Sequence, residues 1–242
     1  MSKLETYSMT KLKEIASKLG IKPKRGKVDT IKAILEEMKE YEEYKREKLD
    51  KYTRLHQLGN KGKEGTTYLV SDKEGKKYAM KTFRKGKSSK NLKKEYKFLR
   101  KASEKGISPP PYDYDIVSKY IVMEKMDNHL KDMLTQPGYV LSKSYQLRIL
   151  EIYKTLDDLG IFHNDGNLQN YMLKNKKLYI IDFGLAKKID KKLIRTCGNT
   201  PNYRLMTIGF IIKMQELKLD EKSYKYLLKT VSKEDRVNYG IN

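Results

Sequence analysis

The spacing of apolar and polar positions divides the chain into a helical opening, a stretch of short strands and a mostly helical second half. Met9, Leu12, Ile15, Ala16 and Leu19 recur at helical intervals across residues 8–19, with Ser8 placed to cap that helix and Gly20 to stop it. A second helical pattern starts near Val28 and carries Ile31, Ile34, Leu35 and Met38. It then becomes a charged run ending near Asp50 that reads as a solvated linker helix. From Leu55 the period shortens to β-like runs at 55–58, 66–71 and 77–83, separated by glycines and charges. A helix is expected over residues 89–105, and Pro109, Pro110 and Pro111 must break it. Residues 120–124 read as a buried strand. Residues 142–159 form a long helix with Ile149, Ile152, Leu156 and Leu159 on one face and Gly160 as its stop. Two short strands flank Asn175, and helices near 203–217 and 221–231 follow.

Composition narrows the class. At 242 residues the chain has room for one catalytic-sized domain and a small appendage. Its 38% apolar and 35% charged residues fall into periodic segments, which argues for a folded core. The single cysteine, Cys197, cannot close an internal disulfide, and no Cys/His cluster has zinc spacing, so a reducing compartment is expected. No signal-peptide core and no apolar run near the ~18 residues of a membrane span is present, so the expectation is a soluble, intracellular protein with no membrane partner. A net charge of +22 suggests polyanionic partners, although about five lysines to each arginine also fits an AT-rich genome.

The chemistry sits after the long helix. His163-Asn164-Asp165-Gly166-Asn167-Leu168-Gln169-Asn170 is followed by a strand ending in Asp182-Phe183-Gly184. An aspartate in a loop or an Asp-Phe-Gly turn is commonplace alone, but order and spacing add upstream features. Lys81 ends Tyr78-Ala79-Met80-Lys81 on the third strand, Glu95 lies on the next helix, and Tyr120 to Met126 makes a strand and hinge. Together these resemble the protein-kinase superfamily. The resemblance implies Asp165 as the base that orients a hydroxyl, Asn170 and Asp182 as magnesium ligands, and Lys81, oriented by Glu95, on the ATP phosphates. It further implies that Leu58, Thr67, Ala79 and Met172 enclose adenine and that Glu124 and Met126 offer hinge backbone groups. Gly59, Gly62 and Gly65 stand where the family has its glycine-rich loop. They fall three apart, so a plain two-strand turn reads nearly as well. His163 reads as structural and not as a proton shuttle.

Departures from the family limit the reading. Asn164 replaces the arginine of His-Arg-Asp, which removes the usual partner of a phosphorylated loop. Asn167 stands where Ser/Thr kinases carry a lysine, no Ala-Pro-Glu follows Gly184, and Arg204 falls where an aspartate is expected. The pattern is similar to small atypical kinases such as the RIO family, to reduced kinases of large DNA viruses, and distantly to aminoglycoside phosphotransferases. The expectation is an α+β, two-lobed kinase-like fold with a truncated C-lobe at 51–242, transferring phosphate from ATP to Ser/Thr of a protein substrate. Small-molecule kinase and non-catalytic nucleic-acid-binding scaffold remain the alternatives. Residues 1–50 resemble SAP and Rho N-terminal helical modules, which implies possible nucleic-acid contact through Lys22, Lys24, Arg25 and Lys27. Cytoplasm, nucleus or, for a viral protein, the host cell is the expected setting.

Overall fold

The computed structural model describes residues 3–59, 62 and 64–241; of the glycine-bearing loop, Asn60, Lys61 and Lys63 lie outside the described residues. The chain divides into two compact units, one running to Thr53 and the other beginning at Arg54.

In the first unit a 3-10 turn, Lys3–Thr6, precedes α1 (Met9–Lys18) and α2 (Lys27–Asp50). The Ser8 hydroxyl accepts from the Lys11 backbone N–H at 3.2 Å, satisfying one of the donors that a helix start leaves open. Gly20 takes φ +78°, the left-handed backbone that ends α1. Leu12 and Ala16 of α1 close against Ile31 and Ile34 of α2, which is the packing the helical period calls for. Lys22, Lys24, Arg25 and Lys27 are all exposed on the intervening turn and helix start, and Lys27 Nζ donates to the Glu5 carbonyl at 2.9 Å.

The second unit opens with a five-stranded sheet in the order β1-β2-β3-β5-β4, antiparallel from β2 to β4, with β1 at Thr53–Leu58, β2 at Gly65–Ser71, β3 at Lys77–Phe83, β4 at Pro111–Asp115 and β5 at Tyr120–Glu124. The chain leaves β3 through a turn into α3 (Ser89–Glu104), which the Ser88 side chain caps. Strand β4 is absent from the hydrophobic pattern because three prolines mask it. The structure accommodates Pro111 as the first residue of an edge strand, with a bulge before Asp113, where the missing N–H costs no ladder bond.

The helical half follows: β6 (Asn128–His129), α4 (Leu130–Leu134), α5 (Lys143–Asp158), β7 (Ile161–Phe162), β8 (Tyr171–Lys174), β9 (Lys177–Ile180), β10 (Lys187–Lys188) and α6 (Lys191–Cys197). A π-helical turn at Asn202–Met206 leads into α7 (Thr207–Glu216), and α8 (Lys225–Leu228) and α9 (Lys233–Tyr239) come last. The expected helices at 203–217 and 221–231 are therefore broken into shorter pieces, and α6 and α9, which bury few apolar residues, are additions. One apolar core joins Leu92 and Leu99 of α3, Ile121 of β5, Ile149, Ile152 and Leu156 of α5, and Phe210 and Ile211 of α7. Within it the hydroxyls of Tyr153 and Tyr171, both fully buried, satisfy each other.

Candidate active site

Strand alternation decides which side chains of the sheet share a face. Thr67 lies directly opposite Lys81 and Leu69 opposite Ala79, while Ala79 and Lys81 in turn face Met123 and Ile121 of β5. These residues therefore line one face, with Tyr78, Met80 and Thr82 on the other. Ala79 is buried, Leu58 and Met172 are half-buried on β1 and β8, and Met126 is buried past the end of β5. The Glu124 N–H donates to the Pro110 carbonyl at 3.0 Å, so of the two hinge groups at that residue only its carbonyl can serve a ligand.

Lys81 is the centre of the charged cluster. Its Nζ donates to Glu95 Oε1 at 2.8 Å and to Asp182 Oδ1 at 2.6 Å, and its side chain is 13% exposed. Burial alone would lower the pKa of this ammonium, but Glu95 and Asp182 more than reverse that and hold it above its ordinary value. Burial likewise pushes the Asp182 carboxyl up, and Lys81 beside it brings the net shift below the usual carboxylate range. Asp182 sits at φ +64°, and its Oδ1 also accepts from the Gly184 N–H at 3.2 Å.

The catalytic-loop candidates are fixed from behind. Asn170 is buried, and its Nδ2 donates to the Asp165 carbonyl at 3.3 Å, which commits the amide nitrogen and leaves the amide oxygen as the ligand atom. Asp165 Oδ1 accepts the Asn167 N–H at 3.1 Å. Asn164 takes φ +62°, a conformation asparagine tolerates better than most residues. His163 Nε2 lies 3.0 Å from the Ile181 carbonyl and its ring meets Phe183 edge-on, tying the loop of Asp165 to the loop of Asp182 that follows β9. Burial lowers the His163 pKa and so favours the neutral ring.

Arg204, standing where the resemblance expects an aspartate, forms a two-pronged pair with Asp235 of α9, at 2.8 and 2.6 Å. Asn202, two residues earlier, bonds to the segment before Asp165: its Oδ1 accepts the His163 N–H at 2.9 Å, and its Nδ2 donates to Asp157 at 2.6 Å and to the Ile161 carbonyl at 2.7 Å. The π-helical turn rotates Asn202 inward, a deviation that periodicity cannot anticipate. Gly65 also has a different reason from the one the resemblance implies. A Cβ there would stand 1.9 Å from the Thr82 carbonyl oxygen, so the pairing of β2 with β3 already demands glycine. Gly59 takes φ +65° at the end of β1.

Glu64 and Lys87 carry no motif signal, yet they enter the same cluster: Lys87 Nζ donates to Glu64 Oε2 at 2.8 Å and lies 3.0 Å from Glu95 Oε2. Beside Asp165, Asn164 and Gly166 also border an open apolar cavity of about 350 Å³ lined by Leu205, Ile208 and Ile212.

A family model described as the protein kinase domain matches residues 52–205. The chain is similar to the KEOPS complex subunit Bud32 of Pyrococcus abyssi, at 29% identity over 131 residues that make up 48% of this chain and 58% of that protein. It is similar to a probable serine/threonine-protein kinase BUD32 homolog of Archaeoglobus fulgidus, at 29% over 119 residues, 49% of this chain and 57% of the relative. A third similarity is to a probable bifunctional tRNA threonylcarbamoyladenosine biosynthesis protein of Methanosarcina mazei, at 30% over 133 residues, 54% of this chain and 23% of the relative. The chain spans a little over half the length of the first two and about a quarter of the third.

Proposed function

Because this chain belongs to the protein kinase family, we propose that its cleft moves the γ-phosphate of ATP to a serine or threonine hydroxyl of a protein substrate. The observation that carries the proposal is the junction of Lys81, Glu95 and Asp182 within hydrogen-bond distance, drawn from a strand, a helix and a loop far apart in sequence. In this reading residues 51–242 form the catalytic domain. Lys81 grips the phosphate chain and Glu95 keeps it from collapsing onto Asp182 alone. The sheet face of Thr67 and Ala79, with Leu58 and Met172, holds adenine against the backbone at Glu124 and Met126. Gly59 and Gly62 belong to the loop above the phosphates, and Gly65 opens β2 at its far end.

The donor set suits a hard cation: the carboxylate of Asp182 and the amide oxygen of Asn170 are oxygen ligands, and the described residues contribute no thiolate or imidazole to the cluster. Asp182 and Asn170 would hold magnesium, which would supply positive charge to offset that of the phosphates. Asp165 orients the acceptor hydroxyl and takes its proton, with the neighbouring Asn167 N–H holding one carboxylate oxygen in place.

The net charge of +22 favours acidic or nucleic-acid-associated acceptors over small cationic ones. The relatives named for the KEOPS complex and for tRNA threonylcarbamoyladenosine biosynthesis support a partner connected with tRNA, and the exposed Lys22, Lys24 and Arg25 of the first unit give such a polyanion a basic contact. Lys27, already bonded to the Glu5 carbonyl, would contribute less.

The test incubates the full chain with labelled ATP, magnesium and a panel of acidic and basic proteins, with and without tRNA, followed by phosphoamino-acid analysis. Phosphoserine or phosphothreonine that disappears in Lys81→Ala supports the proposal. Label released only as inorganic phosphate, or carried to a small-molecule acceptor, would refute the protein-substrate part of it.

A further inference from the structure

The phosphate end of the cleft holds more charge than the family motifs require. Lys87 lies in the turn between β3 and α3, in a chain with 53 basic residues, and nothing in its local sequence marks it. Its side chain is nonetheless only 9% exposed, against 13% for Lys81. A lysine that serves solubility keeps its ammonium in water; one that is desolvated needs anions to hold it there. Lys87 has two, Glu64 through a hydrogen bond of 2.8 Å and Glu95 through an ion contact of 3.0 Å that lacks hydrogen-bond alignment. The two lysines also share one ring, with Lys81 Nζ at 5.2 Å and Lys87 Nζ at 5.1 Å from the centroid of Phe83. Glu95 therefore presents one carboxylate oxygen to Lys81 and the other to Lys87.

Glu64 reaches this point from the loop that begins at Gly59. Its backbone carbonyl is pinned by the Arg84 N–H at 3.0 Å, so the side chain is the part that can leave. Its carboxylate stands 4.0 Å from Lys81 Nζ and packs on Gly184, where an added Cβ would come within 2.3 Å of Oε2. Carboxylate oxygens of Glu64, Glu95 and Asp182 all lie within 4.8 Å of one another. Three carboxylates in that volume repel, and Lys81 and Lys87 offset them. Glu64 is thus an anion resting against both cations at the end of the cleft where an anionic ligand would be held.

We infer that Lys87 is a second phosphate-binding lysine of this cleft, and that the Glu64 carboxylate competes with the ATP phosphates for it. The inference rests on the nucleotide reading given above. Asn167 stands where Ser/Thr kinases carry a lysine, and Lys87 supplies a cation from the other side of the cleft. When Glu64 swings away, one negative charge leaves the cluster and the Lys87 ammonium is free to donate to a phosphate oxygen, a more highly charged acceptor than the carboxylate it gave up.

Calorimetric titration of the full chain with magnesium-ATP and, separately, with adenosine tests this, because adenosine reports the fold and the adenine site without the phosphates. Lys87→Met is expected to weaken ATP about tenfold, the loss of one charge-assisted hydrogen bond, and to leave adenosine within about twofold. Lys87→Arg, which keeps the cation, should retain ATP within about threefold, and Glu64→Gln should tighten ATP by about threefold or more. Equal weakening of ATP and adenosine by Lys87→Met, or no change in either, would make Lys87 a purely structural ion partner and overturn the inference. Weaker ATP binding by Glu64→Gln would instead make Glu64 a ligand of the metal-nucleotide and overturn the competition. Should Lys87→Met fail to fold, the Glu64→Gln and Lys87→Arg titrations decide. ATP binding that is lost in Lys81→Ala but untouched by Lys87→Met sinks this inference alone, whereas a wild-type chain that binds no ATP sinks the nucleotide reading with it.

Discussion

Glu95 keeps a side chain only 4% exposed because lysines meet both of its oxygens. Removing its charge while preserving its shape leaves Lys81 and Lys87 buried with less compensation, and breaking one charged hydrogen bond of this kind costs about 2 kcal/mol. Glu95→Gln should lower the urea midpoint accordingly without changing the denaturant slope; an unmoved midpoint would show that the cluster contributes nothing to stability. Lys81, Glu95, Asp165, Asn170 and Asp182 stand out in the sequence by their order along the chain, and the structure joins Lys81 to Glu95 and Asp182 and sets Asn170 beside Asp165. Glu64 and Lys87 do not stand out: in a chain that is 35% charged, a loop glutamate or lysine is unremarkable until the fold shows which one is buried. Asn202 was hidden for a different reason, since its inward orientation depends on a π-helical turn and not on its neighbours in sequence.

At the scale of elements, pairing and packing impose demands that motifs misattribute. Gly65→Ala would drive a methyl against the Thr82 carbonyl and part β2 from β3, a strain of about 2 kcal/mol. The melting temperature should fall by about 5 °C, measured by thermal unfolding of the full chain, and an unchanged value would contradict the close approach. The Arg204–Asp235 pair joins the turn before α7 to α9. Its hydrogen bond from Arg204 holds the Asp235 carboxyl below the usual carboxylate range. A carboxylate whose folded pKa is depressed stabilises the fold above its unfolded pKa, near ~3.9, and loses that contribution as pH falls through the lower folded value. Asp235→Asn should therefore cost about 1 kcal/mol at neutral pH, a modest figure because Arg204 is 43% exposed, and the gap to wild type should close below about pH 4. Chemical denaturation across that range checks it; a gap independent of pH would mean that packing, not charge, holds α9. The strands β2, β3 and β5 and the helices α3 and α5 were readable from period and apolar content. Strand β4 was masked by its prolines, and α6 and α9 by surfaces too polar to carry a helical stripe, Val237 on α9 being 82% exposed.

At the scale of the molecule, the α+β organisation and the kinase membership were visible in the order of motifs from Leu55 to Gly184, whereas the break-up of the last helices was not, because short helices bury too few residues each to leave a period. No helix among the described residues is long and apolar enough to cross a membrane. What unites the second unit is one core running from α3 through α5 to α7, which lets the sheet hold Lys81 and the helical half hold Asp165 in fixed positions. The claim on which the rest depends is that Asp165 acts on the transferred phosphoryl chemistry and not on nucleotide binding. It is tested by measuring, in Asp165→Asn and wild type together, the rate of γ-phosphate transfer to protein and the dissociation constant of magnesium-ATP. The account predicts a transfer rate lower by at least about 100-fold with ATP affinity within about threefold; transfer that persists at the wild-type rate would contradict it.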